Sequence, residues 1–521
     1  MSKTELVLDV NEKPTIGKWI ILAFQHVFAM FGATILVPIL VNSAAGTEVL
    51  TIPVALVTSG IGTLIYILCT KAKSPVYLGS SFAFIVPITA AYLKGGISGA
   101  MTGIMVVGLI YVVFAIIISL IGKGWIDKLL PPVVIGPMIM IIGLGLAPSA
   151  IGQIGIAGEG AIEWKGVVVA LVSFLVTAIV AVRGKGFLKI IPFLIGIVSG
   201  YLTAVVLGMI DFTPVAEAAF FSVPKFIIPF VHYSINFSAI LTIAPIALVT
   251  MAEHIGDHTA LSAIMGRDLL KNPGLNRTLL GDGIATFVAG ALGGPANTTY
   301  GENTSVVGMT KIASVWVIGL AAIIAIALGF LGKFTALATT IPDQVLGGVS
   351  LLLYGFISVN GLKVLIENQI DFNKTKNVIV ASTMLVLGLG GAAISIAHGD
   401  LSVTISGMSL AAVIGILLNL LLPNEVDEST KEDKEKKDEM IEVGETKEEI
   451  KKIKEDIIEI KEEIKSIKSD LKKDEKTENT KEENKSEDKS NSQNNNLNSN
   501  SNNNNNNNNQ NNKQNKKKKK K

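Results

Sequence analysis

The sequence predicts an all-α polytopic membrane protein with fourteen transmembrane segments in a 7+7 inverted repeat, spans 3 and 10 being broken and each containing a short extended stretch. Three observations predict it. Of 521 residues, 49% are hydrophobic and only 17% charged, with 50 glycines, far from the composition of an average soluble domain. Apolar runs of the roughly 20 residues that a helix needs to cross about 30 Å of hydrocarbon recur through residues 17–424. The Lys and Arg residues between those runs fall to one side.

Residues 1–16 lead straight into a full-length apolar segment, without a cleavable-signal pattern, and read as a cytoplasmic N-terminus. Eleven segments are clear: Trp19–Val41, Ile52–Cys69, Ala100–Ile121, Val133–Ile151, Gly166–Val182, Ile190–Met209, Ile240–Met265, Ala313–Phe330, Ala336–Val359, Val378–His398 and Val403–Leu422. Three weaker ones, Val76–Leu93, Leu279–Leu292 and Thr298–Thr310, are short or interrupted by polar residues, and bring the count to fourteen. With fourteen spans and the N-terminus inside, 17 Lys/Arg lie on the cytoplasmic side and four, Lys94, Lys165, Lys225 and Lys333, outside. That is a strong positive-inside bias, and removing any one weak span scrambles it. Both termini are therefore expected in the cytoplasm, with the chain multi-pass in the cell membrane.

Seven spans per half make the repeat inverted, and the two most polar short spans stand third in each half, "VYLGSSFAFI" (Val76–Ile85) and "ANTTYGENTS" (Ala296–Ser305). Such paired, Gly-interrupted segments point to a transporter site built from broken helices. Irregular backbone at that depth is tolerated only where protein or a polar cavity satisfies it.

After residue 424 the composition changes. In the charged segment 425–475, Ile450, Ile453, Ile457, Ile460, Ile464, Ile467 and Leu471 alternate by three and four with Glu and Lys between them. The pattern fits a short coiled coil or a lone amphipathic helix, and Ile at both core positions leaves the oligomer order open. Residues 476–521, Asn-rich and ending in Lys516–Lys521, lack the apolar content to fold. Their basic end suits anionic lipid or a purely solvated role. Cys69, the sole cysteine, cannot form an internal disulfide.

Ionisable side chains within a span are functional candidates, because burying them costs several kcal/mol, on the order of that for any lone intramembrane charge, unless they are paired or face water. The eighth span, "MAEHIGDHTAL", holds Glu253, His254, Asp257 and His258. At helical spacing the acids share one face and the histidines the next. Two carboxylates four residues apart in a low dielectric repel, so a shared proton relieves the site. Glu302 opens the half-helix of span 10, where unpaired N–H groups favour an anion or a ligand oxygen, and Ser81 and Phe82 begin the matching half-helix of span 3. Backbone donors, the Glu253 and Glu302 carboxylates and the faces of Phe82 and Tyr300 suit a flat molecule carrying ring N–H donors and carbonyl acceptors. Uracil has two of each. No Lys or Arg lies in these segments to hold an anion.

Five motifs in one order carry a family resemblance: "QHVFAMFGATILVP" (Gln25–Pro38), "YLGSSFAFI" (Tyr77–Ile85), "AEHIGDH" (Ala252–His258), "NTTYGEN" (Asn297–Asn303) and "GGVSLLLYG" (Gly347–Gly355). From about Lys13 to Leu422 the chain resembles the bacterial uracil permeases of the nucleobase/ascorbate transporter family. The resemblance implies a core domain (spans 1–4 and 8–11), a gate domain (spans 5–7 and 12–14), uptake of a nucleobase with protons, and a homodimer in the lipid bilayer. It further implies that Glu253 and Glu302 hydrogen-bond the base, that Phe82 and Tyr300 pack on it, and that Ala33, Ser81, Gly301 and Tyr354 line the site.

Two positions depart from the family pattern. Asp257 stands where a histidine is often found, with His258 one residue later, so the coupling proton is assigned among Asp257, Glu253, Glu302 and His258. Ser305 replaces a glycine of the signature that Glu302, Asn303, Thr310 and Lys311 otherwise meet. Glu302 favours uracil, since purine-transporting relatives tend to carry Gln or another residue there. A xanthine or other purine symporter is the alternative, and an anion transporter of the same architecture a more distant one. No enzymatic activity is expected, because the acid and histidine cluster forms neither an HExxH site nor a nucleophile–base pair. Nor is a metal, cofactor or nucleic-acid partner expected, the proton being the coupling ion.

Overall fold

The computed structural model describes residues 6–157, 162–185, 188, 191–228, 235–398, 401–423, 446–469 and 472. Two units separate, Met1–Glu425 and Val426–Lys521. In the second, the described residues form a helix over 446–469; segment 476–521 lies outside the described residues.

Among the described residues of the first unit, seven helical stretches are long and apolar enough to cross a membrane: Ile16–Ala45, Ile52–Cys69, Phe82–Ile121, Pro132–Ile154, Trp164–Arg183, Phe237–Met265 and Asp343–Glu367. Pro192–Val206, Val315–Gly329, Thr375–Leu389 and Gly407–Leu421 are shorter apolar helices. Local chemistry sets their ends. Thr51 caps Ile52–Cys69 by accepting from the N–H of Val54, with Pro53 in the first turn, where its missing N–H costs nothing. The stretch Phe82–Ile121 breaks at Gly96, whose φ of 62° and ψ of −164° require glycine.

The helices pack through small residues, as expected where lipid offers no hydrophobic drive for association. Gly108, in the stretch Phe82–Ile121, lies so close to Leu275–Ala291 that a Cβ there would stand 2.5 Å from the Gly283 carbonyl. Gly361 of Asp343–Glu367 meets the Gly136 carbonyl of Pro132–Gly145 at the same distance. Residues 7–10 are pinned as a strap across the ends of other helices. Val7 N–H donates to the Lys311 carbonyl at 2.8 Å, and the N–H groups of Ala313 and Val315 donate to the carbonyls of Leu8 and Val10, both at 2.9 Å. The Arg267 guanidinium bonded to Asp9 holds that carboxyl below its usual range.

Three expected boundaries are corrected. The span read as Ala336–Val359 is two helices, Gly332–Thr339 and Asp343–Glu367, because Pro342 supplies no N–H to carry a helix through. The span read as Val378–His398 ends as helix at Leu389, and the span read as Val403–Leu422 begins as helix only at Gly407. Between them strands β3 (Ala393–His398) and β4 (Leu401–Ser406) pair antiparallel, Ala393 opposite Ser406. Gly390 and Gly391 stop the preceding helix, and alternating β-branched residues favour the strand that follows. The all-α expectation thus misses one hairpin.

Two further strands, β1 (Leu78–Ser80) and β2 (Asn297–Thr299), pair antiparallel with Gly79 opposite Thr298. The pairing extends one residue each way, the N–H of Ser81 donating to the Ala296 carbonyl at 3.0 Å and that of Tyr300 to the Tyr77 carbonyl at 3.1 Å. Each strand runs directly into a helix, β1 into a 3-10 turn at Phe82–Phe84 and then Ile85–Ile121, β2 into Gly301–Thr310. The outer edges of the ribbon are satisfied by hydroxyls. Ser59 and Thr63 both donate to the Leu78 carbonyl, Thr63 also accepts from the Leu78 N–H, and Thr286 donates to the Asn297 carbonyl.

The Tyr300 ring lies across Gly79. A Cβ there would stand 2.3 Å from Tyr300 Cζ, while the Tyr300 hydroxyl donates to the Ser80 carbonyl at 2.9 Å and accepts from Thr34 at 3.1 Å. Gly79→Ala should therefore overpack the crossing, with an expected loss of about 1–3 kcal/mol. A lowered unfolding midpoint of the detergent-solubilised chain checks this, with Gly152→Ala, where nothing lies within 4 Å of the added Cβ, unchanged.

Candidate functional site

The site forms where β1, β2 and the helix Ile246–Met265 meet. Asp257 Oδ2 accepts from the Thr299 hydroxyl at 2.7 Å, and its Oδ1 lies 3.8 Å from the position of a Cβ on Gly301. Glu253, one turn earlier, keeps its buried Oε2 without a hydrogen bond among the described residues and lies within Coulombic reach of Asp257, Glu302 and Asp282. A buried acceptor left open in this way is set to take a donor from something that binds.

Glu302, in the first turn of Gly301–Thr310, lines a cavity of about 10 Å³ together with Ala33, Leu36, Phe193, Val349 and Leu353. That is room for about one water, so a ring-sized ligand requires Phe193, Val349 and Leu353 to move away from Ala33 and Glu302. A second recess, about 770 Å³, opens towards the far end of the first helix among Glu48, Lys225, Thr335 and Asp343. Along that helix Ala29, Ala33 and Leu36 line the inner cavity and Ile39 and Ser43 the outer one. These residues recur every three or four positions, on one helix face.

Of the expected site residues only Ala33 and Glu302 line this cavity; Ser81, Phe82, Glu253, Asp257, Tyr300, Gly301 and Tyr354 do not. Phe82 packs edge-on against Tyr354, ring centroids 6.0 Å apart. Ser81 is buried at the end of β1. Tyr300, its hydroxyl committed twice and its ring on Gly79, braces the ribbon. His258 is placed elsewhere: its Nδ1 lies 2.8 Å from the His254 carbonyl and its Nε2 2.5 Å from the Tyr66 hydroxyl. A carbonyl only accepts, so Nδ1 carries the proton and Nε2 faces Tyr66. Acids and histidines thus occupy two faces of Ile246–Met265, Asp257 towards Thr299 and the histidines towards Asp282 and Tyr66.

Several partners were not picked out from the sequence. Asp282, on Leu275–Ala291, bonds His254 Nδ1 at 2.7 Å with both side chains fully buried, and the rings of His254 and His258 stack at 4.0 Å. Asn303 donates to the His26 carbonyl at 3.1 Å, tying the Glu302 helix to the first helix. The rule that flags Glu253 also flags Asp282, an acid inside the weak span Leu279–Leu292. Tyr66, Thr34 and Thr299 carry no such signal.

Residues 17–396 match the Permease family. The chain belongs to that family. The uracil permease of Bacillus caldolyticus is 49% identical over 419 residues, covering 80% of this chain and 95% of the relative. That of Bacillus subtilis (strain 168) is 48% identical over 434 residues, covering 82% and 98%, and that of Escherichia coli (strain K12) 41% identical over 420 residues, covering 80% and 94%. The resemblance carried by the five motifs is thereby borne out, and the permease fold is a helical, multi-pass membrane one. It is shared with the transmembrane domain of the cyanobacterium bicarbonate transporter BicA, at a TM-score of 0.55 and 16% identity over 79% of this chain and 100% of that one. The murine anion transporter Slc26a9 in its inward-facing state gives 0.59 and 12% over 79% and 69%.

Behind the family's acid motif, the buried His254–Asp282 pair holds the helix Ile246–Met265 against Leu275–Ala291 and so fixes where Glu253 and Asp257 project. Asp282→Ala leaves an imidazole N–H buried without an acceptor and should destabilise the fold by about 1–3 kcal/mol. Asp282→Asn, which keeps an acceptor oxygen, should lose clearly less. Thermal unfolding of the two purified variants in one detergent checks the order.

Proposed function

We propose that this chain is a secondary transporter that imports uracil with protons across the cell membrane, without enzymatic activity or a bound cofactor. The observation that carries the reading is the name uracil permease on relatives 41–49% identical over about 80% of the chain. The site chemistry agrees. A neutral pyrimidine offers two N–H donors to carboxylates and two carbonyls to backbone N–H groups. Glu302 faces the cavity and Glu253 has an unpaired acceptor, while among the described residues no Lys or Arg lines the cavity. The last point separates the reading from an anion transporter, for which the shared fold alone speaks. The names of the relatives likewise favour uracil over xanthine.

In this reading the fourteen spans form two inverted repeats, both termini are cytoplasmic and the molecule works as a homodimer. Spans 3 and 10 are broken at β1 and β2. The core (spans 1–4 and 8–11) carries Ala33, Ser81, Phe82, Glu253, Asp257, Tyr300, Gly301 and Glu302, and the gate (spans 5–7 and 12–14) carries Tyr354. Packing supports that grouping, since Gly108 meets Gly283 within one set and Gly136 meets Gly361 within the other. The ligand enters when gate residues Phe193, Val349 and Leu353 withdraw from Ala33 and Glu302.

Uracil is uncharged near neutrality, so concentrating it needs a coupled ion. A proton on Asp257, Glu253 or Glu302 relieves the repulsion among the three acids and favours the geometry that accepts the base. Uptake of labelled uracil should therefore fall as external pH rises and collapse with a protonophore. Glu302→Gln, losing a charge-assisted bond worth about 1.5–3 kcal/mol, should weaken uracil binding by about ten- to a hundredfold. Asp257→Asn should abolish accumulation against a gradient while binding survives. Sodium-driven uptake indifferent to pH would sink proton coupling, and competition by xanthine but not uracil would sink the substrate.

A further inference from the structure

We propose that the helix over 446–469 is one strand of a parallel, in-register coiled coil formed with a second copy of this chain. Ile450, Ile453, Ile457, Ile460, Ile464 and Ile467 all lie on this helix and are each about half exposed. Their three–four alternation sets them at the a and d positions of a heptad. With that register fixed, the flanking positions sort by charge. The e positions are Lys454, Lys461 and Lys468, and the g positions are Glu449, Asp456 and Glu463.

The sorting decides both partner and direction. In a parallel pair each g residue faces the e residue of the following heptad on the other strand, giving Glu449 with Lys454, Asp456 with Lys461 and Glu463 with Lys468. Every contact is attractive, in both directions across the pair. In an antiparallel pair e faces e and g faces g, so every contact is repulsive. A surface whose one flank is basic and whose other is acidic complements itself in the parallel sense, which makes a second copy the fitting occupant. A membrane surface fits worse. A helix lying on lipid carries Lys and Arg across its polar face, whereas residues 446–469 hold seven lysines and seven acids.

The test uses the full-length chain in native membranes, with Cys69→Ser removing the natural thiol. Ile450→Cys sits near one end of the seam, so disulfides between identical positions need a parallel arrangement, while Glu448→Cys lies on the outer face. Oxidation should link Ile450→Cys chains in at least tenfold higher yield than Glu448→Cys chains. Adding Lys454→Glu, Lys461→Glu and Lys468→Glu makes both flanks acidic and should bring the yield down to the Glu448→Cys level. Co-expression with an Ile450→Cys chain carrying Glu449→Lys, Asp456→Lys and Glu463→Lys should restore the link, now between the two kinds of chain. Equal yields at 450 and 448, or a link that survives the charge reversal, would overturn the proposal. So would a polarity-sensitive dye on the thiol of the Ile450→Cys chain that shifts to the blue with phosphatidylserine vesicles while no disulfide forms, which would assign the seam to lipid.

Discussion

The antiparallel pairing of Leu78–Ser80 with Asn297–Thr299 is the constraint on which the rest of the permease depends. A helix that begins within the protein interior leaves its preceding residues extended, and extended backbone in a medium without water must find a partner for each N–H and carbonyl. Here the two extended stretches serve one another. Residues more than 200 positions apart in the chain exchange bonds from Tyr77 to Ser81 and from Ala296 to Tyr300. Hydroxyls of Ser59, Thr63 and Thr286 close the outer edges. Once the ribbon exists, the helix starts at Phe82 and Gly301 are fixed in place. Glu302 follows from the second of them, one residue in.

The ribbon also explains why so much of the surrounding sequence is small or hydroxyl-bearing. Tyr300 can lie flat on β1 only because residue 79 has no side chain, and Asn297 can donate to the Thr58 carbonyl only because Gly62 leaves it room. The helix Ile246–Met265 then divides the polar interior in two. On one side Asp257 meets β2 and the start of Gly301–Thr310, with Thr299 as its partner, and Glu253 stands one turn earlier. On the other, Asp282 bonds His254, whose ring stacks on His258, and His258 in turn bonds Tyr66. The second set holds the helix in place, and the first is left with acceptor capacity to offer a ligand.

Much of this was legible from residue order, for identifiable reasons. Long apolar runs, paired Gly-interrupted segments and the two faces of "AEHIGDH" depend on composition and on a 3.6-residue period, which are local. The pairing of Ala393–His398 with Leu401–Ser406 is missed because their Ile, Leu, Val and Ala residues extend the apolar runs of the flanking helices, and only the glycines before them and the alternation within them mark strands. The break at Pro342 was missed because hydropathy does not register a missing N–H. The site was legible in its acids and not in their partners. That Asp282 bonds His254, Thr34 bonds Tyr300 or Asn303 bonds His26 is settled by which helices pack together, and no window along the chain contains both members of any of these pairs.

The same considerations separate what the fold contributes from what the side chains contribute. Proteins named for bicarbonate and for anion transport share this fold at 12–16% identity, so the fold by itself does not choose a substrate. Two helix starts with unpaired N–H groups attract any ligand rich in acceptors, an anion included. In this chain acids stand beside those donors. Glu302 stands in the first turn of one half-helix, and Glu253 and Asp257 project from the helix packed across β2. Against an anion they add repulsion. In the proposed reading a neutral ring bearing both N–H and carbonyl groups would find in them acceptors for its N–H groups, and one of them would carry the coupled proton.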